Sequence, residues 1–247
     1  MAVRPVVTFC GAVAKRGNDA SECEDRFATS GMRFAVADGA SESSYSHVWA
    51  QMLADAFCAA ADADADPDDI GPWLARCRGD WQRWARQITD RNPPWFTHAS
   101  LQRGSFATFA GVAFAADAPA GEWTAVACGD ACLFVVRDDA VLVAFPVAAA
   151  GGFDNTPWLV PTSADAATDA WRIASGIAQP GDRFYLATDA LGQWFLAQRD
   201  EGARPWRTLD GVRTTAALEA LTDALRDSGA LRNDDVTLVT VSVDPEP

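Results

Sequence analysis

The residues best suited to chemistry in this chain are acidic, and they stand where apolar runs begin or end. Glu24-Asp25 precedes RFAT, Asp38-Gly39 follows FAVA, Gly129-Asp130 follows TAVAC, Thr188-Asp189 follows RFYLA, and Asp234-Asp235 precedes VTLVTV. A buried charge without a partner is costly, and Asp-Gly by itself is a common turn pair. Any one of these sites therefore reads most simply as a turn. Five of them at the mouths of strands whose interiors hold almost no charge read differently. If neighbouring strands bring such ends together, the carboxylates converge. Two like charges ~4 Å apart cost about 4 kcal/mol at an effective dielectric of ~20. Several such pairs would consume most of a domain's stability of ~5–15 kcal/mol, so the cluster requires protons or bound cations. Oxygen ligands without His or Cys favour Mg²⁺ or Mn²⁺ over zinc. Two such ions sharing a carboxylate would clamp a phosphate and generate a hydroxide near neutral pH.

The other reactive residues offer less. The six cysteines (10, 23, 58, 77, 128 and 132) form no CxxC pair, and neither His47 nor His98 lies at zinc-ligand spacing to another His or Cys. They read as reduced core thiols of a cytoplasmic protein. The run DADADPDD at 62–69 imitates the opening of an EF-hand loop. Pro67 stands where that loop requires glycine, however, and Trp73 where it requires a bidentate Glu, so a solvated inter-helix loop is expected. Arg4, the run VVTFCGAVA and the Ala-Val-Ala at 12–14 imitate a signal peptide. Cleavage there would remove the first core strand, and a cytoplasmic location is expected instead. The net charge of -14 argues against nucleic acid and against an anionic membrane surface as partners. No apolar run approaches the length of a membrane span.

The elements that must position the acids follow from pattern. Strands are predicted at 5–14, 26–29 and 32–38, with Gly31 turning between the last two. Apolar residues recur at helical spacing over 44–61 and 70–88, and the second stretch carries Trp73, Cys77, Trp81 and Trp84 on one side as a packing face. Beyond the turn-rich Asn92-Pro93-Pro94 come strands at 105–115, 123–129, 132–137 and 141–145, then a loop over 148–168 long enough to be functional. Strands at 171–177 and 183–188, helices at 191–198 and 214–226 and a strand at 236–243 complete the chain. Strands adjoin strands and helices adjoin helices, which argues for α+β layers in one domain, 1–247, and against an alternating βαβ wind.

Taken in order, CEDRFA (23–28), FAVADGAS (34–41), GSFATFAGV (104–112), ACGDACLFVVR (127–137), DRFYLATDALGQW (182–194) and NDDVTLVTV (233–241) resemble the metal-dependent Ser/Thr protein phosphatases of the 2C type. The resemblance covers nearly the whole chain. It implies a four-layer αββα sandwich of two mostly antiparallel sheets flanked by helix pairs, with a binuclear Mn²⁺ or Mg²⁺ centre at one end. In that scheme Asp38 bridges the two ions and the Gly39 carbonyl binds one of them. Glu24, Asp189 and Asp234 complete the second ion's shell, Asp25 orients metal-bound water, and Asp130 helps hold a looser third ion. A metal-bridging hydroxide would attack the phosphorus of a phosphoserine or phosphothreonine directly. The implied partner is a Ser/Thr-phosphorylated protein, and the enzyme would oppose a Ser/Thr kinase.

The departures from the family pattern are specific. Ala20 stands where many members carry an arginine for the substrate phosphate, leaving Lys15, Arg16 or another arginine to take it. Ala40 stands where some members place a general-acid His, whose loss costs roughly 10²–10⁴ in rate unless water replaces it. Ala190 and Gln193 weaken the third metal site. Two alternatives stay open beside the phosphoprotein phosphatase: a non-catalytic phosphatase-like binding module, and a hydrolase of small phosphate esters using the same centre.

Overall fold

A computed structural model describes residues 3–59, 70–115, 121–153, 156–163 and 171–246. The EF-hand-like run at 62–69 and parts of the 148–168 loop lie outside the described residues. The chain runs β1 (Val3–Val13), β2 (Arg26–Ser30), β3 (Arg33–Gly39), α1 (Ser46–Ala59), α2 (Ile70–Thr89), α3 (Trp95–Arg103), β4 (Phe106–Phe114), β5 (Glu122–Cys128), β6 (Cys132–Arg137) and β7 (Ala140–Phe145). It continues through β8 (Val160–Pro161), β9 (Trp171–Ile177), β10 (Arg183–Ala187), α4 (Asp189–Asp200), α5 (Pro205–Leu209), α6 (Thr215–Asp227) and β11 (Val236–Pro245).

Two antiparallel sheets result. One is ordered β1-β11-β10-β6-β7, the other β2-β3-β4-β5-β9 with β8 added to β4. Side chains alternate across each strand with a period of two, so β3 sends Phe34 and Val36 between the sheets and Ala35 and Ala37 outward. The inter-sheet core joins Phe34, Val36 and Val112 to Leu133, Phe184, Leu186 and Val241. Outside the second sheet, Ala35 and Ala37 are small enough to admit α1, whose Trp49, Leu53 and Phe57 pack with Trp73 and Trp81 of α2. The tryptophan stripe of α2 is thus a packing face: Trp49 and Trp81 meet edge to face at 6.0 Å. Outside the first sheet, Trp194 and Phe195 of α4 and Leu218 of α6 cover Phe134, Tyr185 and Leu238. The order of layers is the αββα sandwich expected.

Several elements differ from expectation. The helix predicted from 191 begins at Asp189 itself, with Thr188 as its N-cap position. α3 and α5 went unpredicted. α3 buries none of its residues and holds Trp95 and Phe96 out to solvent, so it carries no amphipathic period to read. Among the described residues no helix is long and apolar enough to cross a membrane.

Register, more than any single contact, gathers the acids. Arg26 pairs with Ala37, Ala37 with Phe109, and Phe109 with Cys128 across the second sheet. Asp25, Asp38 and Gly129 are each the next residue, at the same end. In the first sheet Cys132, Ala187 and Leu238 lie in register, placing Asp130, Asp189 and Asp234 just beyond that same end.

Candidate metal centre

Asp25 enters β2 and is 1% exposed. Its Oδ2 accepts a hydrogen bond from Thr188 Oγ1 at 2.7 Å, and Thr188 Oγ1 accepts in turn from the Thr237 amide at 2.9 Å. Its Oδ1 is buried with no hydrogen-bond partner, an atom that a cation or a proton would satisfy. Burial, with the charges of Asp235 and Asp234 and against the relief from the Thr188 and Thr237 hydroxyls, pushes its pKa up to about 7. Asp38, at the end of β3, is pushed well above the usual carboxylate range by burial and by the charges of Asp25, Asp234 and Asp130. Asp25 and Asp38 thus feel each neighbouring acid as a charge that opposes their own ionisation, as expected of converging strand ends.

Asp235 plays a different part from its neighbour. Its Oδ1 accepts from the Lys15 amide at 2.7 Å and its Oδ2 from the Glu24 amide at 2.6 Å, so it ties the β1–β2 connection to the start of β11. That tie sets Glu24. Ser46 Oγ, at the first turn of α1, donates to one carboxylate oxygen of Glu24 at 2.5 Å, and Ser41 Oγ donates to the other. Gly39 packs against the same turn: a Cβ there would stand 2.7 Å from the Ser46 carbonyl carbon and 3.0 Å from the Glu24 carbonyl oxygen. No larger residue fits between β3 and α1 at this point.

Asp189 and Asp234 share a counter-ion. The Arg232 guanidinium pairs with Asp189 Oδ2 through one nitrogen, and its Nε lies 3.3 Å from Asp234 Oδ2. Among the described residues no three acidic side chains are arranged to hold an ion as they stand. The hydroxyls of Ser41 and Ser46 occupy the oxygens of Glu24, and the Arg232 guanidinium occupies one oxygen each of Asp189 and Asp234. The donor set nonetheless fits a hard divalent cation. It is all oxygen, it contains an orphaned buried carboxylate oxygen, and two of its members are held back from ionising.

The other candidate residues fall outside the cluster or meet it only in part. Arg16 pairs with Asp223 and Asp227 of α6 at 3.2 and 2.9 Å, and its amide donates to Asn233 Oδ1. Its guanidinium is therefore spent on α6. Lys15 meets the cluster through its backbone amide on Asp235. His47, on α1, is lowered from its ordinary pKa chiefly by burial, which leaves it neutral at pH 7 and unsuited to donate a proton. Burial pushes the Cys23 thiol, beside Asp25, up to about 12, so it is no nucleophile. The six cysteines are all free. Ser41, Ser46, Thr188 and Arg232 were missed by sequence reasoning; only Thr188, directly before Asp189, stood inside a quoted motif at a telling place.

The cluster opens on a cavity of about 610 Å³ whose wall includes Asp38, Asp130 and Asp189. A chain so built has well-defined counterparts. Its fold matches the catalytic domain of the serine/threonine phosphatase PstP in complex with two manganese ions, with TM-score 0.63, 18% identity and 99% and 100% of the two chains covered. It also matches PstP/Ppp of Mycobacterium tuberculosis (TM-score 0.64, 18% identity, 97% and 100% covered). A third match is PppA of Pseudomonas aeruginosa, described as a key regulatory component of T6SS (TM-score 0.62, 17% identity, 98% of each chain covered). No protein of curated function matches the chain. The sequence model of the family Protein phosphatase 2C matches residues 14–226, taking in Glu24, Asp25, Asp38, Asp130 and Asp189 and stopping short of Asp234. With that span matched and the layers and strand-end acids in place, the chain belongs to the protein phosphatase 2C family.

Proposed function

We propose that the protein is a Mn²⁺- or Mg²⁺-dependent phosphatase acting on phosphoserine or phosphothreonine in proteins, opposite a Ser/Thr kinase. One observation carries the reading. Strand register brings Asp25, Asp38, Asp130, Asp189 and Asp234 to one end of the sandwich, where Asp25 and Asp38 resist ionisation and an Asp25 oxygen lacks a partner. Protons, the Arg232 guanidinium or bound cations can relieve such an arrangement, and divalent cations would do so most fully.

Asp38, the Gly39 carbonyl, Glu24, Asp189 and Asp234 would hold two ions, and Asp130 a weaker third. When bound, the ions would supply Lewis acidity that neutralises phosphoryl charge and lowers the pKa of water. The chain's own residues do the rest. Asp25, fixed by Thr188, would orient the attacking water and accept its proton. Ala40 offers no proton to the departing alkoxide, so solvent water supplies it. Arg232, paired with Asp189 and Asp234, would compete with bound ions for those carboxylates.

Arg232 also favours a second reading. A guanidinium that neutralises two ligand acids would let the fold persist without metal, as a phosphatase-like binding module requires. Phosphate release from a panel of phosphoserine and phosphothreonine peptides decides between them, with Asp38→Ala alongside. Release that depends on Mn²⁺ and is abolished by chelator and by the substitution supports the enzyme. No release from folded protein across metals and peptides supports the module, and release from small esters alone supports a small-molecule hydrolase.

A further inference from the structure

The cavity beside the acid cluster has one cationic side chain on its described wall. Asp38, Asp130, Asp189 and Glu42 line it, and Arg103 lines it too. Several arginines among the described residues are committed to carboxylates: Arg16 to Asp223 and Asp227, Arg137 to Asp182, Arg183 to Asp210, and Arg232 to Asp189. Arg103 is not. It is exposed, its guanidinium meets Ser100 Oγ at 3.2 Å, and no carboxylate pairs with it among the described residues.

Its backbone, by contrast, is held. Arg103 ends α3, and Gly104 turns the chain with φ 77° so close to Thr162 that a Cβ would stand 2.4 Å from its Oγ1. The Ser105 amide donates to Thr162 Oγ1 at 3.1 Å, and Ser105 Oγ to the Ser44 carbonyl at 2.7 Å. A long cationic side chain thus projects from a fixed base at the cavity wall. A fixed base and a guanidinium paired with no carboxylate among the described residues suit capture of an anion.

The anion follows from the proposed reaction, on which this inference rests. A phosphate monoester carries about -1.5 to -2 charge at pH 7, and the protein, at net charge -14, repels it at long range. A side-chain cation at the cavity wall adds to whatever bound ions do to offset that repulsion. The guanidinium fork matches phosphate oxygens in pairs, which an ammonium cannot do. We infer that Arg103 anchors the substrate phosphate, receiving it from the α3–β4 wall of the cavity.

The test separates this from other roles. Steady-state hydrolysis of a phosphothreonine peptide and of p-nitrophenyl phosphate is compared in wild type, Arg103→Ala and Arg103→Lys, with the Mn²⁺-induced rise in melting temperature measured in each. A phosphate anchor raises KM roughly 10- to 100-fold in Arg103→Ala on both substrates, leaves kcat within about threefold, and leaves the Mn²⁺ shift unchanged. Arg103→Lys recovers part of the loss. An unchanged KM on both substrates overturns the inference. So does a KM effect confined to peptides with acidic flanks, since Arg103 would then read the flank and not the phosphate. If wild type hydrolyses neither substrate, the proposed function has failed. Calorimetric binding of inorganic phosphate to the Mn²⁺-loaded proteins then decides the role of Arg103: weaker binding in Arg103→Ala supports it, and equal or absent binding overturns it.

Discussion

Replacing Asp25 with Asn should make the metal-free protein more stable, although it alters a buried residue of the site. Asp25 titrates at about 7 in the fold, against an ordinary value of 3.8. Its folded pKa lies above its unfolded one, so the stability linked to its proton is complete below about pH 4 and is lost as pH rises through about 7. A shift of about three units at about 1.4 kcal/mol each puts the cost of the ionised form at roughly 4 kcal/mol at pH 7.5 and about 2 kcal/mol at pH 5. Asparagine removes that cost while its amide oxygen still accepts from Thr188. For a chain of this size each kcal/mol moves Tm by roughly 2–4 °C, so a rise of about 8–16 °C is expected at pH 7.5. The assay is thermal unfolding in EDTA at both pH values, wild type beside Asp25→Asn. The gain should shrink by about half at pH 5 and again, at pH 7.5, when Mn²⁺ is added to both proteins. A variant less stable than wild type in EDTA at pH 7.5, or a gain equal at both pH values, would refute the electrostatic reasoning.

Other expectations follow from contacts. Arg232→Met should tighten Mn²⁺ binding by roughly 10-fold, because the guanidinium no longer competes for Asp189 and Asp234, and should lower apo stability; calorimetric titration and melting in EDTA check the two effects. Asp235→Ala strips the acceptor from the Lys15 and Glu24 amides, so a loss of roughly 1–3 kcal/mol and weaker Mn²⁺ binding should appear together in denaturant and metal titrations. Asp182→Ala strips the acceptor from Arg137 and from the Gln179 amide and should cost roughly 1–3 kcal/mol while leaving the Mn²⁺-induced melting shift intact.

The sandwich was legible because its strands are strongly alternating or continuously apolar, and its acids because they interrupt those strands at one end. Asp25 and Asp38 are adjacent through the β2–β3 hairpin, a local pairing that Gly31 announces in the sequence. The α3 helix was not legible, since a helix that buries none of its residues has no period, and Arg103 was hidden with it. Arg16 looked free by sequence because the acids that hold it, Asp223 and Asp227, are some two hundred residues away on α6. Asp235 resembled Asp234 in type and position. Only tertiary contact shows that one braces two amides while the other pairs with Arg232.

Anomalous diffraction at the manganese edge, from crystals grown with Mn²⁺, tests the metal centre most directly. The expected result is a pair of peaks sharing Asp38, with Glu24, Asp189 and Asp234 turned toward one of them and Arg232 displaced. Manganese found elsewhere, with Arg232 still seated on Asp189, would contradict it.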